Sequence, residues 1–339
     1  MNPVAASASS QPVPVLSLRQ LQVSLPYAGA RCELVKGIDL DLYAGQVTGL
    51  VGESGCGKTL TANALLGLLP GRQAQMHTRR FELHGRTDLS QLDETGWRRL
   101  RGRQLAMIFQ DPQSALDPVF SIGQQMVRVI QRQRRTDREA ALDIARRNLS
   151  DCMLADTERI LASYPHQLSG GMRQRVMVAL ALSCEPAVLV ADEVTSALDI
   201  SSRDQVLALL RRAAVERGIA ILLISHDLAA VARICDQVLV MYAGRIVESG
   251  PTSLLLSRAQ HPYTAALLQA TARITDSLPA RVQPIAGRVQ ALHQAVPGCS
   301  FAERCQWSSE LCVEKLPKLD DNSGNGHQLA CHHPLKAPG

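Results

Sequence analysis

"GESGCGKT" spans residues 52–59, directly behind the apolar run "QVTGLV" at 46–51. The pattern is G-x-x-x-x-G-K-T, with Gly52, Gly57, Lys58 and Thr59 at the fixed places. Glycines at these spacings let a loop turn its backbone N–H groups inward, and a helix started by the loop adds its positive end. A strand before the loop and the helix-compatible "LTANALLGLL" at 60–69 give it that setting. The loop from Gly52 through Glu53, Ser54, Gly55, Cys56 and Gly57 to Lys58, Thr59 and Leu60 is therefore expected to wrap a polyphosphate. In that arrangement Lys58 reaches the outer phosphates and Thr59 holds Mg²⁺. A glycine-rich turn with no ligand is the competing reading, and the presence of all four required residues argues against it.

Around the loop, apolar strands alternate with amphipathic helices. "QLAMIFQ" (104–110), "AVLVAD" (187–192) and "AILLIS" (220–225) read as buried strands, and residues from about 120 to 184 read as helices. "QVLVMYAGRIVESG" reads as a hairpin turning at Ala243-Gly244, and residues 15–50 as short strands. Such alternation implies an α/β fold with a mostly parallel sheet covered on both faces. A hydrophobic content of 46% suffices for a core, and 3% aromatics make its packing aliphatic. The net charge of +5 is spread along the chain, so charge does not demand nucleic acid. No apolar run approaches the ~20 residues of a membrane helix. The N-terminus lacks the pattern of a secretion signal, so a soluble, intracellular chain is expected.

Two further stretches place chemistry near the loop. "AVLVADE" delivers Asp192 and Glu193 at a strand end, where a carboxylate can order Mg²⁺ and its neighbour can polarise water. "YPHQLSGGMRQR" (164–175) sets Ser169, Gly170 and Gly171 before a helix, a second anion-ready helix start. One chain does not need two such sites for one triphosphate. A head-to-tail pair does, with each ATP clamped between the loop of one subunit and the Ser-Gly-Gly of the other.

On these motifs the chain resembles the ATP-binding subunit of ABC transporters, whose signature L-S-G-G-Q is here Leu168-Ser-Gly-Gly-Met172. The resemblance implies an ABC-type P-loop ATPase core with an antiparallel β subdomain, an inserted helical subdomain at about 112–184 and a small cysteine-bearing C-terminal extension. Gln110 then matches the Q-loop glutamine that touches Mg²⁺ or water, "SALD" (196–199) the D-loop, and His226 the switch histidine on the γ-phosphate. Val194 stands where the family usually has proline. Tyr27 is the nearest aromatic candidate for stacking on adenine.

"MIFQDPQSALDP", "VMYAGRIVESG" and "HPYTAALL" (261–268) narrow the resemblance to peptide and nickel importers, and the long cysteine-bearing tail narrows it to dipeptide and oligopeptide transporters. The implied organisation is a flexible arm (1–14), a nucleotide-binding domain (15–255) and an extension (256–339). The implied partners are a paralogous ATP-binding subunit in a heterodimer, two transmembrane permeases, and a periplasmic or extracellular substrate-binding protein. The permeases would be received by residues of about 111–135. The location would be peripheral, at the cytoplasmic side of the inner membrane. A nickel or other small-solute importer, a soluble ABC ATPase acting on nucleic acid or ribosomes, and an exporter cassette are the alternatives.

Four of the nine cysteines lie in the last 41 residues: Cys299, Cys305, Cys312 and Cys331. Their C-x5-C-x6-C-x18-C spacing lacks the short pairs of structural zinc sites. It is compatible with a [4Fe–4S] cluster, one cysteine per iron, and it resembles the G-C-x-F-x-x-R-C tail of peptide-importer cassettes that carry one. Zn²⁺ with help from His327, His332 or His333 is the alternative, and four reduced thiols the simplest one. A metal centre would supply folding energy to a tail with little core.

Overall fold

A computed structural model of the chain describes residues 13–71, 73–196, 198–275, 285, 287–294, 296–321 and 324–336. Nearly all of the expected N-terminal arm, most of the linker after about 275, and Ala197 of "SALD" lie outside the described residues.

The chain opens with two long antiparallel strands, β1 (Leu16–Tyr27) and β2 (Ala30–Leu42), followed by β3 (Val47–Val51) and helix α1 (Lys58–Leu65). The short strands β4 (Gln75–His77), β5 (Arg80–Leu83) and β6 (Thr87–Asp88) come next, then α2 (Glu94–Leu100) and β7 (Leu105–Ile108). β1, β2, β4, β5 and β6 form one antiparallel sheet. Two expectations need refinement here. The strands of 15–50 are not all short, since β1 and β2 run 12 and 13 residues. The polar stretch after α1 contains three strands, which gain order by pairing with β1 or with each other.

Helices α3 (Pro112–Ala115), α4 (Ile122–Arg134), α5 (Arg138–Asp151), α6 (Thr157–Ala162) and α7 (Gly170–Ser183) form the inserted helical block. Its starts are written in the sequence: Ser121, Asp137, Asp156 and Ser169 each accept a backbone N–H of the first turn of α4, α5, α6 and α7. Ile122, Met126 and Ile130 of α4 recur at helical spacing and are fully buried.

The chain then returns to the sheet through β8 (Val188–Asp192), α8 (Ile200–Arg217), β9 (Ala220–Ser225), α9 (Leu228–Ile234), β10 (Gln237–Tyr242) and β11 (Arg245–Pro251). It ends with α10 (Thr252–Ser257), α11 (Pro262–Thr275), α12 (Glu310–Glu314) and β12 (Gln328–Leu329). The second sheet has the order β12-β11-β10-β3-β9-β8-β7. The five strands from β10 to β7 are parallel, and β11 and β12 add antiparallel. Every residue of β3, β8 and β9 is buried, as strands covered on both faces require. The β10–β11 turn sits at Ala243-Gly244, with φ of 45° and 86°, the left-handed pair that a two-residue hairpin needs.

Candidate functional site

Because β3, β9, β8 and β7 are adjacent and parallel, their carboxyl ends share one edge of the sheet. That edge is where α/β folds place phosphates. β3 feeds the loop 52–57, β7 leads to Gln110, β8 ends in Asp192 and Glu193, and β9 leads to His226.

The loop is shaped by what surrounds it. A side chain at Gly52, whose φ is 156°, would put its Cβ 2.2 Å from the Met241 carbonyl oxygen, so only glycine fits. Lys58 is buried, and its Nζ donates to the carbonyls of Gly52 at 2.8 Å and Glu53 at 3.0 Å. The ammonium is thus curled inside the loop, while Ser54, Gly55 and Thr59 are exposed and Leu60 is half-buried. Cys56 is buried behind the loop, and its carbonyl accepts the Gly244 N–H of the hairpin at 2.9 Å.

Asp192 is 1% exposed, and neither of its carboxylate oxygens has a hydrogen-bond partner among the described residues. Burial raises its pKa, and the Thr59 hydroxyl lies near enough to offset part of that shift without reaching hydrogen-bonding geometry. A buried carboxylate with no partner is costly to leave alone, and a hard divalent cation is the natural oxygen-ligated companion. Asp192 and Thr59 therefore fit Mg²⁺.

Glu193 is gripped from two sides. Gln110 Nε2 donates to Oε2 at 2.8 Å, and His226 Nδ1 lies 3.3 Å from Oε1. Its backbone is in the left-handed region, φ 48°, rare for a residue with a side chain and common where function holds the chain in strain. Val194, in the usual proline place, is fully buried. The three side chains the sequence assigned to hydrolysis are thus brought into one hydrogen-bonded group.

Ser169 caps α7, its hydroxyl accepting the Met172 N–H at 3.3 Å, and Ser169 and Gly170 are exposed with Gly171 half-buried. This second helix start faces solvent. Tyr27 ends β1, is 53% exposed, and stacks on His293 of the C-terminal segment with centroids 4.3 Å apart. One of its faces is therefore already taken.

Cys299, Cys305, Cys312 and Cys331 line one pocket together with Pro262, His332 and His333. Burial raises the pKa of Cys299, Cys305 and Cys331, the last to about 11. Among the described residues no group of three or more His, Cys, Asp or Glu is drawn together closely enough to hold a single metal ion. Four thiolates on one zinc at 2.3 Å would stand about 4 Å from each other. The four cysteines thus share a pocket, but neither the expected [4Fe–4S] cluster nor the alternative Zn²⁺ finds a ready-formed metal site among the described residues. His327 is elsewhere, its Nε2 2.8 Å from Glu248 Oε1, so it does not join the cysteines.

Sequence reasoning gave no role to Tyr263 and Arg304, yet both contact Glu53 in the loop. Tyr263 was visible only as part of "HPYTAALL", and Arg304 only as the arginine of the G-C-x-F-x-x-R-C pattern, with no sign of a contact to the loop.

A family model described as "ABC transporter" matches residues 35–196, and one described as "Oligopeptide/dipeptide transporter, C-terminal region" matches 247–312. The chain is 41% identical over 317 residues to a probable peptide ABC transporter ATP-binding protein of Sinorhizobium fredii, covering 94% of each. It is 40% identical to a probable D,D-dipeptide transport ATP-binding protein of Escherichia coli, over 95% of this chain and 97% of that one. It is also 40% identical to the dipeptide transport ATP-binding protein of Bacillus subtilis, over 94% of each. Among solved structures, a dimeric bacterial ABC transporter cassette superposes with a TM-score of 0.62 at 22% identity, over 70% of this chain and 98% of that one.

Proposed function

Given that the chain belongs to the ATP-binding subunits of ABC transporters, in the branch with the oligopeptide/dipeptide C-terminal region, we propose that it hydrolyses ATP to drive import of dipeptides or oligopeptides. The observation that carries this reading is the single hydrogen-bonded group of Gln110, Glu193 and His226 beside the phosphate loop and the unpartnered Asp192. The names of the relatives support peptides as cargo.

Loop N–H groups from Gly55 to Thr59 cradle the phosphates, and Lys58 pairs with the outer ones. Thr59, Asp192 and Gln110 hold Mg²⁺, which when bound neutralises charge on the phosphate oxygens. Glu193 takes a proton from the attacking water as general base. Gln110 and His226 fix its carboxylate, and His226 also steadies the γ-phosphate. The 58% exposure of the His226 side chain leaves it accessible to a nucleotide. Tyr27 flanks the adenine. Ser169, Gly170 and Gly171 serve the ATP of a paralogous partner, a role that the exposure of Ser169 and Gly170 at the start of a 14-residue helix supports.

Residues 15–255 form the ATPase unit, with 256–339 as its extension, in a peripheral protein at the cytoplasmic side of the inner membrane. Two permeases dock on the helical block, and a substrate-binding protein delivers cargo to them from the other side. An apolar cavity of about 260 Å³ that takes Ala115, Leu116 and Val129 from the 111–135 stretch, and the 73% exposure of Val119 in the same stretch, support this docking reading. Cys299, Cys305, Cys312 and Cys331 hold a [4Fe–4S] cluster that braces the tail, with Zn²⁺ as the alternative occupant. When bound, such a cluster cross-links four points of chain.

The test is Glu193→Gln in the assembled transporter. ATP binding should persist while turnover falls at least a hundredfold and closed dimers accumulate. Wild-type hydrolysis by this variant would remove Glu193 as the base.

A further inference from the structure

Glu53, the second residue of the phosphate loop, is held twice by the C-terminal segment. Its backbone N–H donates to Tyr263 Oη at 2.8 Å. Its carboxylate takes both arms of Arg304, with Nη1 to Oε2 at 2.7 Å and Nη2 to Oε1 at 3.1 Å. The Arg304 side chain is only 3% exposed. It also donates to Tyr242 Oη at 3.3 Å and to the Ile285 carbonyl at 3.2 Å, and its guanidinium lies 5.7 Å from the ring centroids of Tyr242 and Phe301.

The rings of Tyr242, Tyr263 and Phe301 pack edge-on or tilted within 4.7–5.4 Å of each other. This is a rigid block in a chain with few aromatics. Phe301 lies between Cys299 and Cys305 in sequence, and Arg304 immediately precedes Cys305. The cysteine pocket, the aromatic block and the phosphate loop are therefore joined by contiguous contacts.

A two-pronged arginine fixes both the position and the rotation of a carboxylate. It also cancels a negative charge that would otherwise stand beside a triphosphate. We propose that Arg304 and Tyr263 are positioning residues for the phosphate loop, so that ATP affinity is set in part by the C-terminal segment. This rests on the ATP-binding reading above and adds to it a determinant of affinity supplied by the C-terminal segment.

The experiment is titration of the full-length chain with a fluorescent ATP analogue and Mg²⁺, alongside thermal melting. Arg304→Met should weaken binding about tenfold, and Arg304→Lys should recover little because the fork is lost. Tyr263→Phe keeps the ring packing and loses only the hydroxyl, so about threefold weakening with little change in melting is expected. Adding Glu53→Gln to Arg304→Met should restore the part of the affinity lost to the unpaired carboxylate, since that charge is gone. A merely structural arginine would not be rescued in this way.

If Arg304→Met does not fold, Tyr263→Phe and the double variant decide. Wild-type affinity in Tyr263→Phe, or a folded double variant no better than Arg304→Met, overturns the proposal. Lys58→Ala separates the two readings: if wild type and Lys58→Ala bind alike, it is the ATP-binding assignment that fails.

Discussion

Replacing His327 with alanine should loosen the end of the chain by an amount the structure lets one work out. Glu248 on β11 is fully buried, and His327 beside it is 2% exposed. The carboxylate accepts His327 Nε2 at 2.8 Å, the Gln260 N–H at 2.8 Å and the His261 N–H at 3.1 Å. Removing the imidazole leaves two of three donors. A lost hydrogen bond to a charged group costs about 1.5–3 kcal/mol, and breaking a buried pair outright about 3–5 kcal/mol. With two donors kept, about 3 kcal/mol is the balance.

That cost falls on a weakly held segment. β12 meets β11 through the Glu248–Leu329 and Ser249–Gln328 pairs, with the Ser249 hydroxyl donating to Gln328 Oε1 at 3.1 Å and the Ala330 N–H reaching the Val247 carbonyl at 2.9 Å. The expected effect is local opening rather than global unfolding. Hydrogen exchange at the Leu329 and Ala330 amides should accelerate about 100-fold, from about 1.4 kcal/mol per factor of ten. Limited proteolysis should cut first between 315 and 328. His327→Gln, which can still donate, should show a smaller effect. Exchange within threefold of wild type in His327→Ala would show that this pair does not secure the tail.

Three further outcomes are expected. Burial pushes Cys152 and Cys235 up to about 12, so at pH 8 only about one thiol in ten thousand is thiolate. Neither should be alkylated in the native protein, while both should react after denaturation. Because these thiols hold their protons more tightly folded than unfolded, their linkage favours the fold below about pH 8.5 and is lost as pH rises toward 12. Gly52→Ala should cost about 2–3 kcal/mol or distort the loop, lowering both melting temperature and ATP affinity; normal values in both would contradict the 2.2 Å approach to Met241. Anaerobic purification should yield brown protein with about four irons and four sulfides per chain, absent in Cys312→Ser. Colourless protein with one zinc would replace the cluster with the ion.

The sheet edge was legible because each of its residues is anchored to a strong local pattern. Gln110, Asp192, Glu193 and His226 all end or follow short, largely apolar strands, and parallel strands bring such ends together. The Ala243-Gly244 hairpin was legible from two apolar runs and a glycine. β4, β5 and β6 were not, since strands of two to four residues are too short to show a period. Pairings across long separations were equally silent. Arg304 and Glu53 are 251 residues apart, and His327 and Glu248 are 79 apart. Neither arginine nor histidine carries a local sign of its partner. His327, close in sequence to Cys331, invites a metal-ligand reading that its burial against Glu248 does not support.

The two residues of β12 have an effect larger than their length. β11 runs seven residues, Arg245–Pro251, and without β12 it would be the outermost strand of its sheet. An uncovered strand of this kind presents backbone donors and acceptors to any other chain, an invitation to edge-to-edge association. Gln328 and Leu329 cover the middle of that edge at Glu248 and Ser249, and the Ala330 N–H covers the Val247 carbonyl. A chain shortened ahead of Gln328 is therefore expected to keep every ATP-site residue and yet associate more readily, which light scattering would register.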